Sequence, residues 1–248
     1  MRFLMDDQKK GKPSLDDLRA FAADSIDGAL AAKVFQLFDS YEAAPAPVGR
    51  WQDKVILDEL PRGASVLDLG CGEGELLSIL IKTLNVRGQG VELDPLAVVK
   101  SIERGVPVLN IDIDRGLSDF ADQCFDYVIL ESTLQTLKAP LAVLGEMLRV
   151  GRRGIISFPN FGHWRVRFDL GLRGRMPMTK GLPYNWYDTP NIHLFTLADF
   201  LDWCSAGGAM ATRAFGLADG RVREIDAADN LTAEEVLLFL ERPDNSGQ

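Results

Sequence analysis

The sequence predicts an α/β protein on a doubly wound, mostly parallel sheet, with a helical extension at its N-terminus. Three observations carry this. Short apolar segments alternate with helical ones from residue 65 to 158. The apolar segments show little polar alternation, as strands covered on both faces do. The first of them runs into a glycine-rich turn and then a helix.

In chain order, residues 1–13 are polar. A helix is expected over 14–41, with Ser14 as N-cap, Asp16 and Asp17 in the first turn, and Leu18, Phe21, Ile26, Leu30, Val34 and Leu37 on one face. Ala-Pro-Ala-Pro at 44–47 reads as a linker. A helix over 48–60 stops at Pro61. Strands follow at 65–69, 87–92, 108–111, 125–130 and 154–158, with helices at 73–84, 95–104 and 140–150. Residues 159–195 lack a regular pattern. Helix returns at 197–205, and 211–216 and 235–240 supply two further, antiparallel strands. The expected organisation is a helical extension and linker over 1–47, one domain over 48–242 and a tail over 243–248.

Composition narrows the function classes. Of 248 residues, 27 are Lys or Arg and 36 are Asp or Glu, a formal charge of −9. That argues against non-specific nucleic-acid binding, which needs a basic face. Three Cys are far apart with no CxxC pair, so neither a disulfide scaffold nor a cysteine-rich zinc site is expected. No metal is expected. No run of about 18 apolar residues spans a membrane, and the start has no apolar leader core. The expectation is a cytoplasmic protein.

The strongest signal is Asp68-Leu69-Gly70-Cys71-Gly72-Glu73-Gly74, between a strand and a helix. Glycines let the backbone turn tightly and approach a ligand. The acid two residues before the first Gly suits a ligand with an ammonium group rather than a pyrophosphate. This loop resembles the first motif of class I S-adenosylmethionine (SAM) methyltransferases, which are Rossmann-like. At the end of the next strand, Glu92, followed by Leu93, is the candidate for bidentate hydrogen bonds to ribose. The competing reading has Glu92 or Asp94 capping the helix at Pro95. Asp112 is the candidate for the adenine amino group, with Ile113 beside the ring, and Asp114 competes with it. Glu131 ends the fourth strand, which faces the methyl donor in such folds. The Cys71 thiol reads as a packing residue, since nothing places a base beside it.

From Arg149 to Lys180 there are eight basic residues and one acid. Both histidines, His163 and His193, lie in or just past that stretch, with Trp164, Tyr184, Trp186 and Tyr187. Three readings stand open. It is a lid over an anionic substrate, a docking surface using Arg165, Arg167, Arg175, Tyr184, Trp186 and Tyr187, or a solvated basic face. Either His is a candidate general base.

The phrases Ser157-Phe158-Pro159-Asn160-Phe161-Gly162-His163-Trp164-Arg165-Val166-Arg167, Gly174-Arg175-Met176-Pro177 and Leu182-Pro183-Tyr184-Asn185-Trp186-Tyr187-Asp188-Thr189-Pro190-Asn191-Ile192-His193 resemble the methionine biosynthesis protein MetW family. With the glycine loop and Tyr127–Gln135, the resemblance covers roughly 50–205. It implies a SAM-methyltransferase-like fold and a role in methionine biosynthesis beside homoserine O-acyltransferase, MetX. It maps Asp68, Gly70, Gly72 and Gly74 onto the SAM loop, Glu92 onto the ribose acid and Asp112 onto the adenine side. Two features depart from that family: the extension before residue 48, which leaves a homodimer open, and Glu131 in place of a small polar residue. Two functions follow as expectations. One is a regulator that holds SAM or S-adenosylhomocysteine and activates the acyltransferase. The other is an active methyltransferase on a small anionic molecule.

Overall fold

A computed structural model describes residues 50–242 except Asp219. The expected helix at 14–41, the linker at 44–47 and the tail at 243–248 lie outside the described residues. The core is an eight-stranded sheet in the order β3-β2-β1-β4-β5-β8-β6-β7. Its strands are β1 (Ser65–Leu69), β2 (Arg87–Glu92), β3 (Val108–Asn110), β4 (Phe125–Glu131), β5 (Gly151–Pro159), β6 (Met210–Ala218), β7 (Arg221–Glu224) and β8 (Ala233–Glu241). β1 to β5 are parallel to their neighbours, and β8 runs antiparallel between β5 and β6. β6 therefore runs with the first five strands, and only β7 and β8 oppose them. Both late strands expected, β6 and β8, are present and pair antiparallel, as expected.

The helices are α1 (Trp51–Glu59), α2 (Glu75–Leu84), α3 (Pro95–Glu103), α4 (Pro140–Val150), α5 (Trp164–Gly171) and α6 (Leu197–Trp203). α2 begins two residues later than expected because Gly74 takes a left-handed conformation at its N-cap, φ 74°. α3 starts as expected: Asp94 caps it by accepting from the Leu96 amide at 2.9 Å, and Pro95 occupies the first turn. α5 lies inside the stretch expected to be irregular. Its buried Trp164, Val166 and Phe168 alternate with Arg165, Arg167 and Asp169, a period of two, so no helical apolar stripe announces it.

Alternate residues of each central strand face opposite layers. Val66, Tyr127, Ile129, Ile155, Leu237 and Phe239 pack on the α1–α2 side. Leu67, Leu69, Val128, Leu130, Ile156, Phe158, Val236 and Leu238 pack on the α4–α6 side. Phe158 stacks with Phe195 and Phe200 at 4.5 and 5.1 Å between ring centres, which ties the end of β5 to α6. The strand order reverses between β1 and β4, so a crevice opens beyond their carboxyl ends.

Candidate functional site

Strand parity decides what enters that crevice. Asp68 shares a face with Val66, Glu131 with Tyr127 and Ile129, and Glu235 with Leu237 and Phe239. All three acids thus point to the α1 side. β8 is reversed, so its first residues arrive where β5 ends, with Glu235 opposite Pro159. The crevice is a cleft of ≈ 950 Å³, walled by Asp68, Gly70, Cys71, Gly72, Glu131 and Thr133, and by Arg50, Trp51, Gln52, Glu234 and Glu235.

The loop is built for close approach. Gly70 and Gly72 have φ of 76° and 54°. A Cβ at Gly70 would come within 2.9 Å of Thr133 Oγ1, whereas one at Gly72 would meet nothing within 4 Å. The Gly70 backbone therefore packs on the β4 end and Gly72 borders open space. Cys71 is a packing residue: its Sγ abuts Gly90, and burial, then the nearby Asp68, push its thiol up to about 12.

Asp68 lies buried under the loop. Burial, reinforced by Glu131, raises its carboxyl to about 8. Burial also raises Glu131 to about 7, against an ion pair with Arg50 at 2.5 Å. Burial opposes the charge on Arg50, but the attraction of Glu131, with Asp53 and Asp68, prevails and raises its pKa. Glu235 accepts from Trp51 Nε1 and Gln52 Nε2, both at 2.8 Å, and so holds α1 against β8.

Glu92 clamps the loop. Its Oε2 accepts from the Gly72 amide at 2.8 Å, and its Oε1 from the Leu93 and Asp94 amides at 2.7 and 2.8 Å. A carboxylate oxygen takes about two donors, so Oε1 is filled and Oε2 keeps room. The bidentate use expected of Glu92 becomes a single position on Oε2 in this arrangement. Leu93 is exposed, Ile113 is buried, and Asp112 accepts from the Asp114 amide at 3.1 Å. None of these three lines the cleft wall. Asp114 is committed elsewhere: it accepts from the Lys138 and Ala139 amides.

The histidines are not on the cleft wall. His163 is 2% exposed and packs on Trp164 at 5.5 Å. Burial, then Arg165 and Arg167, lower it to about 3, so it is neutral and a poor base at ordinary pH. His193 lines a separate pocket with Leu134, Leu144 and Phe200.

The stretch borders the cleft only through Lys180 and the Gly181, Pro183 and Tyr184 that follow it, and most of its arginines are engaged elsewhere. Arg149 binds Glu146 and Asp122, Arg152 reaches Asp126, and Arg153 pairs with Glu241. Arg167 donates to the Gly162 carbonyl, Arg173 pairs with Asp169, and Arg165 lies over the Trp164 ring. Lys180 alone of the eight reaches the cleft, whose wall is mainly acidic. An anionic substrate is therefore a poor fit to it. What the stretch does present is apolar: Met176, Tyr184, Trp186, Tyr187 and Ile192 are exposed, Trp186 by 74% and Tyr187 by 70%, with Arg175 among them.

Sequence reasoning missed Arg50, Trp51, Gln52, Glu234 and Glu235. A signal existed: two adjacent acids opening a strand otherwise buried on both faces. Among the described residues no group of three or more His, Cys, Asp or Glu is arranged to hold a metal, and no helix is long and apolar enough to cross a membrane.

Comparisons with known proteins agree with this architecture. Residues 50–240 match the family model of the methionine biosynthesis protein MetW. A bifunctional methionine biosynthesis protein MetXA/MetW from Rhodopirellula baltica is 38% identical over 174 residues, 66% of this chain and 28% of that one. The curated relatives it matches are spanned over 28% to 61% of their length. A SAM-dependent methyltransferase structure from Thermotoga maritima superposes with a TM-score of 0.57 at 15% identity, over 91% of this chain and 100% of that one. A TehB-like SAM-dependent methyltransferase from Corynebacterium glutamicum gives 0.51 at 18%, over 88% and 100%. The fold is that of SAM-dependent methyltransferases, and the chain belongs to the MetW family of methionine biosynthesis proteins.

Proposed function

We propose that the cleft binds SAM or S-adenosylhomocysteine and that the chain acts with a homoserine O-acyltransferase, MetX, and activates it. The observation that carries the ligand is the buried Asp68 beneath the Gly70–Gly72 turn, an acid placed for an ammonium group with open space in front of Gly72. In this reading Asp68 takes the amino group and Glu92 Oε2 takes one ribose hydroxyl. The adenine then extends past the cleft wall, to where Asp112, Leu93 and Ile113 lie beyond the ends of β2 and β3. SAM would supply an activated methyl group. No side chain on the cleft wall is placed as a neutral-pH histidine base, which favours binding and regulation over transfer.

The relative from R. baltica supports the partner, because its name joins MetXA and MetW in one chain. The partner surface in this reading is the exposed apolar face at Met176, Tyr184, Trp186 and Tyr187, with Arg175 at its edge. Contiguous exposed aromatic and Met side chains mark interaction sites. A regulator that senses its ligand needs a coupling energy of only about 1–3 kcal/mol between the sites.

The test has two arms. Calorimetry with SAM and S-adenosylhomocysteine on wild type and on the Asp68→Ala, Glu92→Ala double variant should show binding that the variant loses. Acyltransferase assays with and without the chain should show activation. Unchanged acyltransferase rates would end the partner reading. Absence of binding to either nucleoside would end the ligand reading.

A further inference from the structure

The cleft continues into a side chamber of ≈ 170 Å³. Gln52, Ser132, Gly181, Tyr184 and Glu235 border both spaces. Pro159 and Pro190 give the chamber an apolar lining.

Two residues that line this space carry acceptors, Gln135 and Glu235. Gln135 is only 5% exposed. Its Nε2 donates to the Ser132 carbonyl at 2.7 Å, which fixes the orientation of the amide. Its Oε1 is buried and has no hydrogen-bond partner. Leaving such a carbonyl unpaired costs about 1–3 kcal/mol. The side chain cannot swing away with its backbone, because the Gln135 carbonyl accepts from the Ile192 and His193 amides at 2.9 and 3.0 Å. The second acceptor is the carboxylate of Glu235, held at Oε2 by Trp51 and Gln52, with Oε1 against Gly181. Among the described residues no Lys, Arg or His lines the chamber.

We propose that this chamber binds a small primary ammonium compound with a short apolar tail, its nitrogen between Glu235 and Gln135. An ammonium group carries three donors and no acceptor, which matches a carboxylate beside an unpaired carbonyl. A carboxylate ligand would meet a like charge with no cation to offset it. The size excludes a large molecule, since drug-sized sites measure about 300–1,000 Å³. The tail lies on Pro159 and Pro190. This site is separate from the nucleoside position in the main cleft and does not rest on it.

The test titrates the full chain with n-butylamine, n-butanol and n-butyrate, with S-adenosylhomocysteine present and again without it. Binding is read by calorimetry and by the NMR signal of the Trp51 indole N–H, which donates to Glu235. Butylamine should bind and move that signal, butanol should bind more weakly, and butyrate should not bind. Glu235→Gln and Gln135→Met should each weaken butylamine roughly tenfold. If one variant fails to fold, the other reads the same contact. If both fail, the preference for amine over carboxylate in wild type decides. Equal binding of butyrate, no binding of butylamine in the tens of millimolar, or binding that leaves Trp51 unmoved would overturn the proposal. If S-adenosylhomocysteine itself does not bind, the titration without it still reads the chamber, so the two failures are distinguishable.

Discussion

Arg50 and Glu131 form an ion pair at 2.5 Å across the mouth of the cleft, joining the N-cap of α1 to the last residue of β4. The carboxylate is buried and the guanidinium is half exposed. Removing the partner of a buried charge is costly, but the exposure of Arg50 moderates the cost. Arg50→Ala should therefore lose about 1–2 kcal/mol in urea denaturation at pH 8. At pH 5, where Glu131 is protonated in the folded chain, the loss should shrink. An equal loss at both pH values would mean that the pair is not its source.

Stability itself should fall as pH rises. Asp68 and Glu131 have folded pKa values of about 8 and about 7, above their ordinary 3.8 and 4.5. Between those limits the folded chain holds more protons than the unfolded one, so stability declines with pH. The stability they confer is full below about pH 4 and is lost through pH 7 to 8. Other acids, such as Asp229, held down to about 2 by Arg223, weaken the fold only at the acid extreme. Thermal unfolding of wild type should decline from pH 5 to 8.5, and Asp68→Asn should flatten that decline.

Ligand binding should release a proton. Asp68 is mostly protonated at pH 7, and an ammonium group beside it favours the carboxylate. Up to about one proton per ligand should appear when S-adenosylhomocysteine binds. Affinity should rise from pH 6 to 8. Calorimetry in two buffers of different ionisation enthalpy measures this, and Asp68→Asn should abolish it.

The two glycines of the loop should fail differently. Both hold left-handed backbone, where a Cβ costs about 1–2 kcal/mol. At Gly70 that Cβ also strikes Thr133 Oγ1, so Gly70→Ala should lower the melting temperature more than Gly72→Ala. At Gly72 the methyl group enters the cleft, so Gly72→Ala should lose S-adenosylhomocysteine affinity out of proportion to its stability. Melting curves beside calorimetry separate the two.

Trp186→Ala and Tyr187→Ala should leave the melting temperature within about 1 °C of wild type, as exposed positions do. Each should reduce activation of the acyltransferase by tenfold or more. Arg167→Ala should instead lower stability, because Arg167 holds the Gly162 carbonyl. Acyltransferase rates at fixed chain concentration are the measurement.

The parallel core was legible because its strands are apolar on both faces and its turns carry glycine and proline. Asp94 as a helix cap and Gly70–Gly74 as a tight turn between strand and helix were local facts, set by neighbours in sequence. The wall of the cleft was not local. Arg50, Gln52 and Glu235 meet only after β8 reverses direction beside β5, and sheet order is a property of the whole chain. The charge of the 149–180 stretch misled for the same reason: Arg149, Arg152 and Arg153 each find an acid through the fold. Composition counts charges, and tertiary structure pairs them. The short β7 escaped because Arg221–Glu224 carries no apolar pattern.

Trp51 and Glu235 are 184 positions apart and share one hydrogen bond. The glycine turn and the five parallel strands leave the ribosome well before Glu235 does. At about 5–20 residues per second, the interval from Pro159 to Glu235 is several seconds. During it a nascent chain carries a finished loop over an unwalled sheet edge. The cleft wall comes into being only when β8 pairs beside β5, so a ligand that fits the cleft holds β8 in place as it binds.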